Sequence, residues 1–207
     1  MVGGVALVIV VALVVALVGS GGGGSGSANG KGKTASPVTY LDYPAVEVSG
    51  TALRQFDSSS PAKGDGLTLP TIHGQSPKGD AVTISASGGK QVVVVGAPWC
   101  PHCNRELPKL VGLLQSGGLG NLKVTLVVTA QQSGAANWPP GNWVYDTLHW
   151  PATSPVLLDD KSATAATALG TPAYPYFVFV DSHGQVGSRA TGEIGLDVFQ
   201  QHVQALR

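Results

Sequence analysis

The sequence is poor in cysteine, in charge and in aromatic residues, and each shortage removes a class of protein. Only two cysteines occur in 207 residues, Cys100 and Cys103. That excludes a disulfide-stapled scaffold and a four-cysteine zinc site. Charged residues make up 12 %, and 12 Lys and Arg balance 12 Asp and Glu, so the formal net charge is zero. A nucleic-acid binder carries a basic face, so no nucleic-acid partner is expected. An acidic disordered tail is excluded on the same count, and no internal repeat is visible. Glycine and proline are plentiful instead, at 29 and 14 residues, too many to be spread evenly over one compact fold. Part of the chain is therefore linker. The apolar fraction of 43 % is enough for a core, and the length allows one domain with extensions.

Residues Met1 to Val18 have no polar side chain, and eight of the eighteen are Val. As a helix they would span roughly 27 Å, close to the hydrocarbon thickness of a bilayer. No Lys or Arg precedes this run, and Val18-Gly19-Ser20 is a weak cleavage site. A signal peptide wants both features, so residues 1–18 are read as a retained transmembrane anchor. No Cys follows the run, which excludes lipidation there. The nearest basic residues, Lys31 and Lys33, lie on its C-terminal side. The positive-inside rule then does not favour an N-in arrangement, and one reading is that a basic stretch precedes Met1. Gly19 to Gly32 holds eight Gly and three Ser in fourteen residues. Such a stretch buries no apolar surface and acts as a flexible tether with a reach of about 20 Å. Residues 33–66 are mixed, with Tyr40, Tyr43 and Phe56 scattered among Ser, Pro and Ala. They are read, with the tether, as linker and extended lead-in (residues 19–66) packing loosely on a domain that spans residues 67–207.

From Leu67 the pattern is globular. Leu67 to Leu69 and Ala81 to Ser85 alternate like edge strands. Gln91 to Val95 contains four consecutive Val, a strand buried on both faces. Cys100 to Leu114 reads as a helix, with Leu107, Leu110, Val111 and Leu114 on one side. Leu122 to Val128 and Val156 to Leu158 read as further strands. Ser162 to Leu169 reads as an Ala-rich helix ended by Gly170. Tyr176 to Val180 and Gln185 to Arg189 flank the turn sequence Asp181-Ser182-His183-Gly184, and Leu196 to Leu206 reads as a closing helix. Strands alternating with helices, then a hairpin and a helix, predict an α/β sandwich with a central mixed sheet flanked by helices.

Cys100 follows a buried strand and opens a helix. A thiolate there faces the unpaired N–H groups and the positive end of the helix dipole, which stabilise it. Pro101 suits the first helical position, where no N–H is needed. His102 adds a positive charge or a donor near the sulfur. Cys103 lies about one turn on and deeper. That asymmetry suits thiol–disulfide exchange, with Cys100 attacking and Cys103 resolving.

The run Ala97-Pro98-Trp99-Cys100-Pro101-His102-Cys103 resembles a thioredoxin-fold active site. Its continuation through Glu106, Pro108 and Leu110 resembles the TlpA-like branch, the membrane-tethered thiol–disulfide oxidoreductases. Tyr174-Pro175-Tyr176-Phe177-Val178-Phe179 resembles the family's cis-proline segment, followed by the family's hairpin with Asp181 and Gly184. The likeness covers residues 67–207. It implies a thioredoxin-like fold and a redox-active Cys100–Cys103 disulfide. Trp99, Pro101, His102, Glu106 and Pro175 would be the supporting residues, and Tyr174 with Pro175 the site of substrate pairing. It implies no dissociable cofactor and no metal. Partners would be protein thiols and disulfides of exported clients, together with an unidentified redox partner. Location would be the cytoplasmic membrane, single-pass, with the domain on the extracytoplasmic side. The TlpA-like pattern leans toward reduction of clients, whereas the Pro-His dipeptide matches disulfide donors such as DsbA. The sequence departs from thioredoxins at Val94, where they place a buried carboxylate; that role is left empty or falls to Glu106 or water. Pro172 competes with Pro175 as the cis-proline, and the apolar strand directly after Pro175 favours the latter.

Other readings stand beside this one. A structural disulfide between Cys100 and Cys103 would close too small a loop to restrict the unfolded chain much. The two thiolates with His149 or His183 would suit copper or zinc, which makes a copper chaperone of this fold the rival function. Glu106 reads equally as a solvated helix residue. His73 and His202 read as surface residues and His183 as a turn residue. Trp138, Trp143 and Trp150 fall in the Pro- and Gly-rich stretch 131–155, where they serve either the core or an aromatic rim that receives a client. Peroxidase chemistry is excluded, because no Thr or Ser stands three residues before either cysteine.

Overall fold

The computed structural model describes residues 39–60 and 66–206. The anchor expected at residues 1–18 and the Gly-rich tether lie outside the described residues. Among the described residues, no helix is long and apolar enough to cross a membrane.

Eight strands form one mixed sheet. They are β1 (Glu47–Ser49), β2 (Thr71–Gln75), β3 (Ala81–Ile84), β4 (Gln91–Gly96), β5 (Lys123–Val128), β6 (Val156–Leu158), β7 (Tyr176–Val180) and β8 (Val186–Thr191). The order is β1-β2-β6-β5-β4-β7-β8, with β3 paired to β2. β4 runs parallel to β5 and antiparallel to β7. The long helices are α1 (Pro101–Gln115) and α4 (Gly195–Gln204); α2 (Pro140–Asn142) and α3 (Thr164–Ala168) are short. A π-helical turn, Trp143–Thr147, continues α2. This is the α/β sandwich with a central mixed sheet that the alternation of strands and helices predicts, and the thioredoxin-like fold that the resemblance implies.

β4 sits at the centre, and its valines explain why. Side chains alternate across a strand, so Val92 and Val94 enter one core, and Val93 and Val95 enter the other. The first core holds Leu107, Leu110 and Val111 of α1 together with Phe177, Phe179 and Phe199. The second holds Ile72, Leu157, Leu169, Tyr176 and Val178. A strand dressed with β-branched residues on both faces has no solvent face to offer, and all six of its residues are buried. Trp143 and Trp150 lie buried in the first core, which places two of the three tryptophans of the insertion in the interior.

Two differences from the sequence reading concern the N-terminal half. Leu67 to Leu69 is not a strand; Thr68 makes an isolated bridge to Gln185. The strand lies just beyond, in Thr71–Gln75, whose Gly and His weaken its signal. The lead-in, expected to pack loosely, instead supplies β1 and two core side chains, Leu53 and Phe56. The Leu53 N–H donates to Ala168 O and the Phe56 N–H to Gly170 O, each at 2.8 Å. The contact is close enough to require glycine at position 170: a Cβ there would lie 2.3 Å from Arg54 O, and φ is +69°. Buried Arg189 completes the seam, donating to Arg54 O at 2.7 Å with its guanidinium 5.1 Å from the Phe56 ring centre. Period-based reading passes over such a segment because its two anchors are isolated apolar residues in a polar stretch.

Phe56 is 6 % exposed. Phe56→Ala is therefore expected to lower the unfolding free energy by about 3–5 kcal/mol, the range for truncating a buried aromatic residue. Urea denaturation measures this directly. A loss under about 1 kcal/mol would mean that the lead-in contributes little to stability.

Candidate active site

The chain leaves β4 at Gly96 and turns into α1 within four residues. Cys100 is the N-cap of α1 and Pro101 its first residue. The Cys100 N–H donates to Ala97 O at 3.1 Å, closing the turn. The Cys103 N–H donates to the Cys100 sulfur at 3.4 Å. A sulfur at the N-cap thus does what a serine oxygen does there: it receives an amide the helix cannot pair internally. Both cysteines are free thiols. Cys100 keeps 4 % of its surface and Cys103 none. Burial, followed by its hydrogen bond with Cys100, pushes the Cys103 thiol far up. The second sulfur is held protonated and covered while the first lies at the rim.

Tyr174-Pro175 is a cis peptide, and Pro172 is not. The Cys100 thiol donates to Tyr174 O at 3.6 Å, so the segment before β7 lies alongside the first sulfur. Trp99, 36 % exposed, stands edge-on to Tyr174 with ring centres 6.3 Å apart. Its indole N–H donates to Ala130 O at 2.6 Å. Trp99, Cys100, Cys103, Tyr174 and Pro175 are therefore brought together.

His102 and Glu106 are placed differently. His102 is exposed, with Nδ1 2.7 Å from Glu193 Oε1 and 2.9 Å from Arg105 Nη2. Glu106 is not a solvated residue: it is 3 % exposed. Its Oε1 accepts the Gly195 N–H at 2.7 Å and its Oε2 accepts from Lys109 Nζ at 3.0 Å. Both oxygens are engaged at the start of α4 and along α1. Neither His149 nor His183 joins the cysteines. Among the described residues, no group of three or more His, Cys, Asp or Glu converges on a metal position.

Three polar groups that the sequence reading passed over shape the site: the Asn104 and Asn137 amides together, Asp159 and Glu193. Asn104 donates through Nδ2 to Pro98 O and Cys100 O, each at 3.0 Å, and its Oδ1 accepts the Trp143 indole N–H at 2.7 Å. Asn137 adds a bond to Pro98 O at 2.8 Å. The insertion is thereby stitched to the cysteine loop. Asp159, wholly buried at the end of β6, caps α3 by accepting from the amides of Ala165 and Ala166 and from Thr129 Oγ1. Burial raises its carboxyl pKa. The nearby Tyr174 phenol is also raised, by burial first and then by the charge of Asp159. An acidic pair directly after an apolar strand, Asp159-Asp160, was the available signal. Glu193 is the third. Hydrogen bonds from Arg105 first, then from His102, lower its carboxyl from 4.5 to about 2. A carboxylate lowered on folding stabilises above its unfolded value, and that contribution is lost as pH falls from about 4.5 toward about 2. No local sequence pattern pairs residue 193 with residue 102.

Two outcomes follow. In the reduced protein near neutral pH, iodoacetamide is expected to alkylate Cys100 and leave Cys103 unmodified, as read by peptide mass mapping; equal labelling would contradict the burial of Cys103. Asn104→Ala orphans the buried Trp143 indole and frees the cysteine loop. It is expected to cost about 1–3 kcal/mol in urea denaturation followed by tryptophan fluorescence.

Comparison with known proteins agrees with this geometry. The sequence model of the Redoxin family matches residues 63–198. Among curated proteins, none matches the chain by sequence. Among solved structures, a thiol:disulfide interchange protein of the thioredoxin family from Chlorobium tepidum TLS superposes with a TM-score of 0.55 at 19 % identity, covering 69 % of this chain and 97 % of its own. The exposed lipoprotein thioredoxin Etrx1 from Streptococcus pneumoniae strain TIGR4 gives 0.53 at 23 % identity, covering 66 % and 99 %. StoA from Bacillus subtilis gives 0.53 at 15 % identity, covering 64 % and 95 %. At such identities the likeness is one of fold. The family match covers more than half of the chain and includes the cysteine pair, so the chain belongs to the Redoxin family and is a thioredoxin-fold thiol–disulfide oxidoreductase.

Proposed function

We propose that the protein exchanges disulfides with exported proteins on the extracytoplasmic side of the cytoplasmic membrane, acting mainly as a reductant. The observation that carries this reading is the inequality of the two sulfurs. Cys100 caps α1 with a helix amide on its sulfur, and Cys103 is fully buried with its thiol held protonated. The Cys100 thiolate attacks a client disulfide and forms a mixed disulfide, releasing one client thiolate. Cys103 then gives up its proton and attacks the Cys100 sulfur. The second client thiolate leaves, and Cys100–Cys103 becomes the disulfide; two electrons have passed from the pair to the client. The client chain enters beside Tyr174 and cis-Pro175, over the Trp99 ring. Run in reverse, the same steps donate a disulfide.

The extracytoplasmic setting is supported by the uncharged apolar run at residues 1–18 and the Gly-rich stretch after it. The Streptococcus pneumoniae neighbour is an exposed lipoprotein. The reducing direction is supported by the TlpA-like spacing of Glu106 and Pro108 after the cysteines. Copper handling has less support, since no third ligand approaches the sulfurs among the described residues.

Cys100→Ala is expected to abolish insulin disulfide reduction, and Cys103→Ala to accumulate mixed disulfides with clients in cells. The reduction potential of the pair decides direction: a value close to about −270 mV marks a reductant, and one close to about −120 mV marks a donor. Labelling of Cys100 in intact cells by a membrane-impermeant thiol reagent tests location; protection until lysis would place the domain inside.

A further inference from the structure

We propose that Glu193 is a positioning residue of the redox reaction: through Arg105 and His102 it sets the charge felt by Cys100, and with it the balance between dithiol and disulfide. This deepens the redox reading of the cysteine pair and rests on it.

The geometry is that of one carboxylate oxygen shared by two side chains of α1. Glu193 Oε1 accepts from Arg105 Nη2 at 2.6 Å and from Arg105 Nε at 3.0 Å, and lies 2.7 Å from His102 Nδ1. Arg105 Nη2 in turn lies 2.9 Å from the same His102 nitrogen. The ring is held in either protonation state. With a proton on Nδ1 it donates to Glu193, and with a lone pair there it accepts from Arg105.

Glu193 reaches α1 from the far end of the chain because its loop is pinned. The Glu106 carboxylate, buried in α1, accepts the Gly195 N–H at 2.7 Å, two residues beyond Glu193. Gly195 takes φ +74°, a turn open to glycine, and directs the preceding residues back over α1. Buried Glu106 thus acts on the site at one remove, by locating a second carboxylate at the rim.

The electrostatic consequence has a sign. The Arg105 and Glu193 charges nearly cancel, so removing either leaves the other uncompensated on the first turns of α1. His102 and Arg105 stand two and five residues beyond Cys100, in the first turns of the helix that Cys100 caps. A dithiol can ionise and a disulfide cannot, so any negative charge on the reduced pair is lost on oxidation. Positive charge at the rim therefore favours the dithiol and makes the pair a better oxidant, whereas negative charge makes it a better reductant. Glu193 holds the rim near neutrality by compensating Arg105.

The test is the equilibrium of the full chain, in detergent, with mixtures of reduced and oxidised glutathione near pH 7. The Cys100–Cys103 disulfide is quantified by alkylation and mass spectrometry. Glu193→Gln is expected to shift the equilibrium constant toward the dithiol by about three- to fivefold, the scale of one exposed charge. Arg105→Gln is expected to shift it by a similar factor toward the disulfide. The double variant returns to within about twofold of the unmodified protein, as coupled neighbours should. Glu193→Asp, which keeps the charge, is expected to give less than half the Glu193→Gln shift. Loosening of the loop would move both single variants in one direction, so equal signs, or no shift while the disulfide still equilibrates, overturn the proposal alone. If no disulfide forms in the unmodified protein at any glutathione ratio, the redox reading of the pair falls with it.

Discussion

The unpaired amides at the start of α1, presented at the end of a strand buried on both faces, are the feature on which the rest of the site depends. A helix must have its first N–H groups met by something. Here a sulfur meets one of them, and the hydrogen bond from the Cys103 amide to Cys100 is the result. Because β4 is central and buried on both faces, the turn after Gly96 has little freedom to move. Cys103, one turn into the helix, is carried inward against Leu107 and Trp143. The chemical inequality of the two sulfurs is thus a consequence of where a strand ends and a helix begins.

What surrounds that turn divides into polar stitching and charge. Asn104 and Asn137 tie Pro98 and Cys100 to the insertion, and Trp143 anchors the insertion in the core. The carboxylates follow a division of labour set by burial. Asp159 is inside and caps a short helix whose own N-cap residue, Ala163, has no polar side chain to do so. Glu106 is inside and fastens α4 to α1. Glu193 is at the surface beside His102 and Arg105. Thioredoxins place a buried carboxylate at the position of Val94; here Val94 is simply core, and charge is managed from the rim.

Much of this was legible in the chain. Four consecutive valines, a Cys-Pro-His-Cys opening a helix, an apolar strand after Pro175 and an Asp-Ser-His-Gly turn are local patterns. Local sterics and hydrophobic periodicity convert them into structure without help from distant residues. The turn shows it well: Asp181 Oδ1 accepts from the amides of His183 and Gln185, so the residue that announces the hairpin also builds it. The segment at residues 39–60 was legible only as composition. Its place in the core depends on Ala168 and Gly170, more than a hundred positions later, which accept the Leu53 and Phe56 amides, and a polar stretch with two apolar anchors has no period to read.

The sequence by itself determined the reactive pair, its order and the class of fold, because these follow from spacings of a few residues and from side-chain shape. The tertiary structure alone decided which carboxylate does what. Glu106 lies three residues from Cys103 and is engaged with α4, whereas Glu193 lies 91 positions from His102 and shares a hydrogen bond with it. Electrostatic interaction depends on distance in space and on exposure to water, and neither is written in the order of residues along the chain.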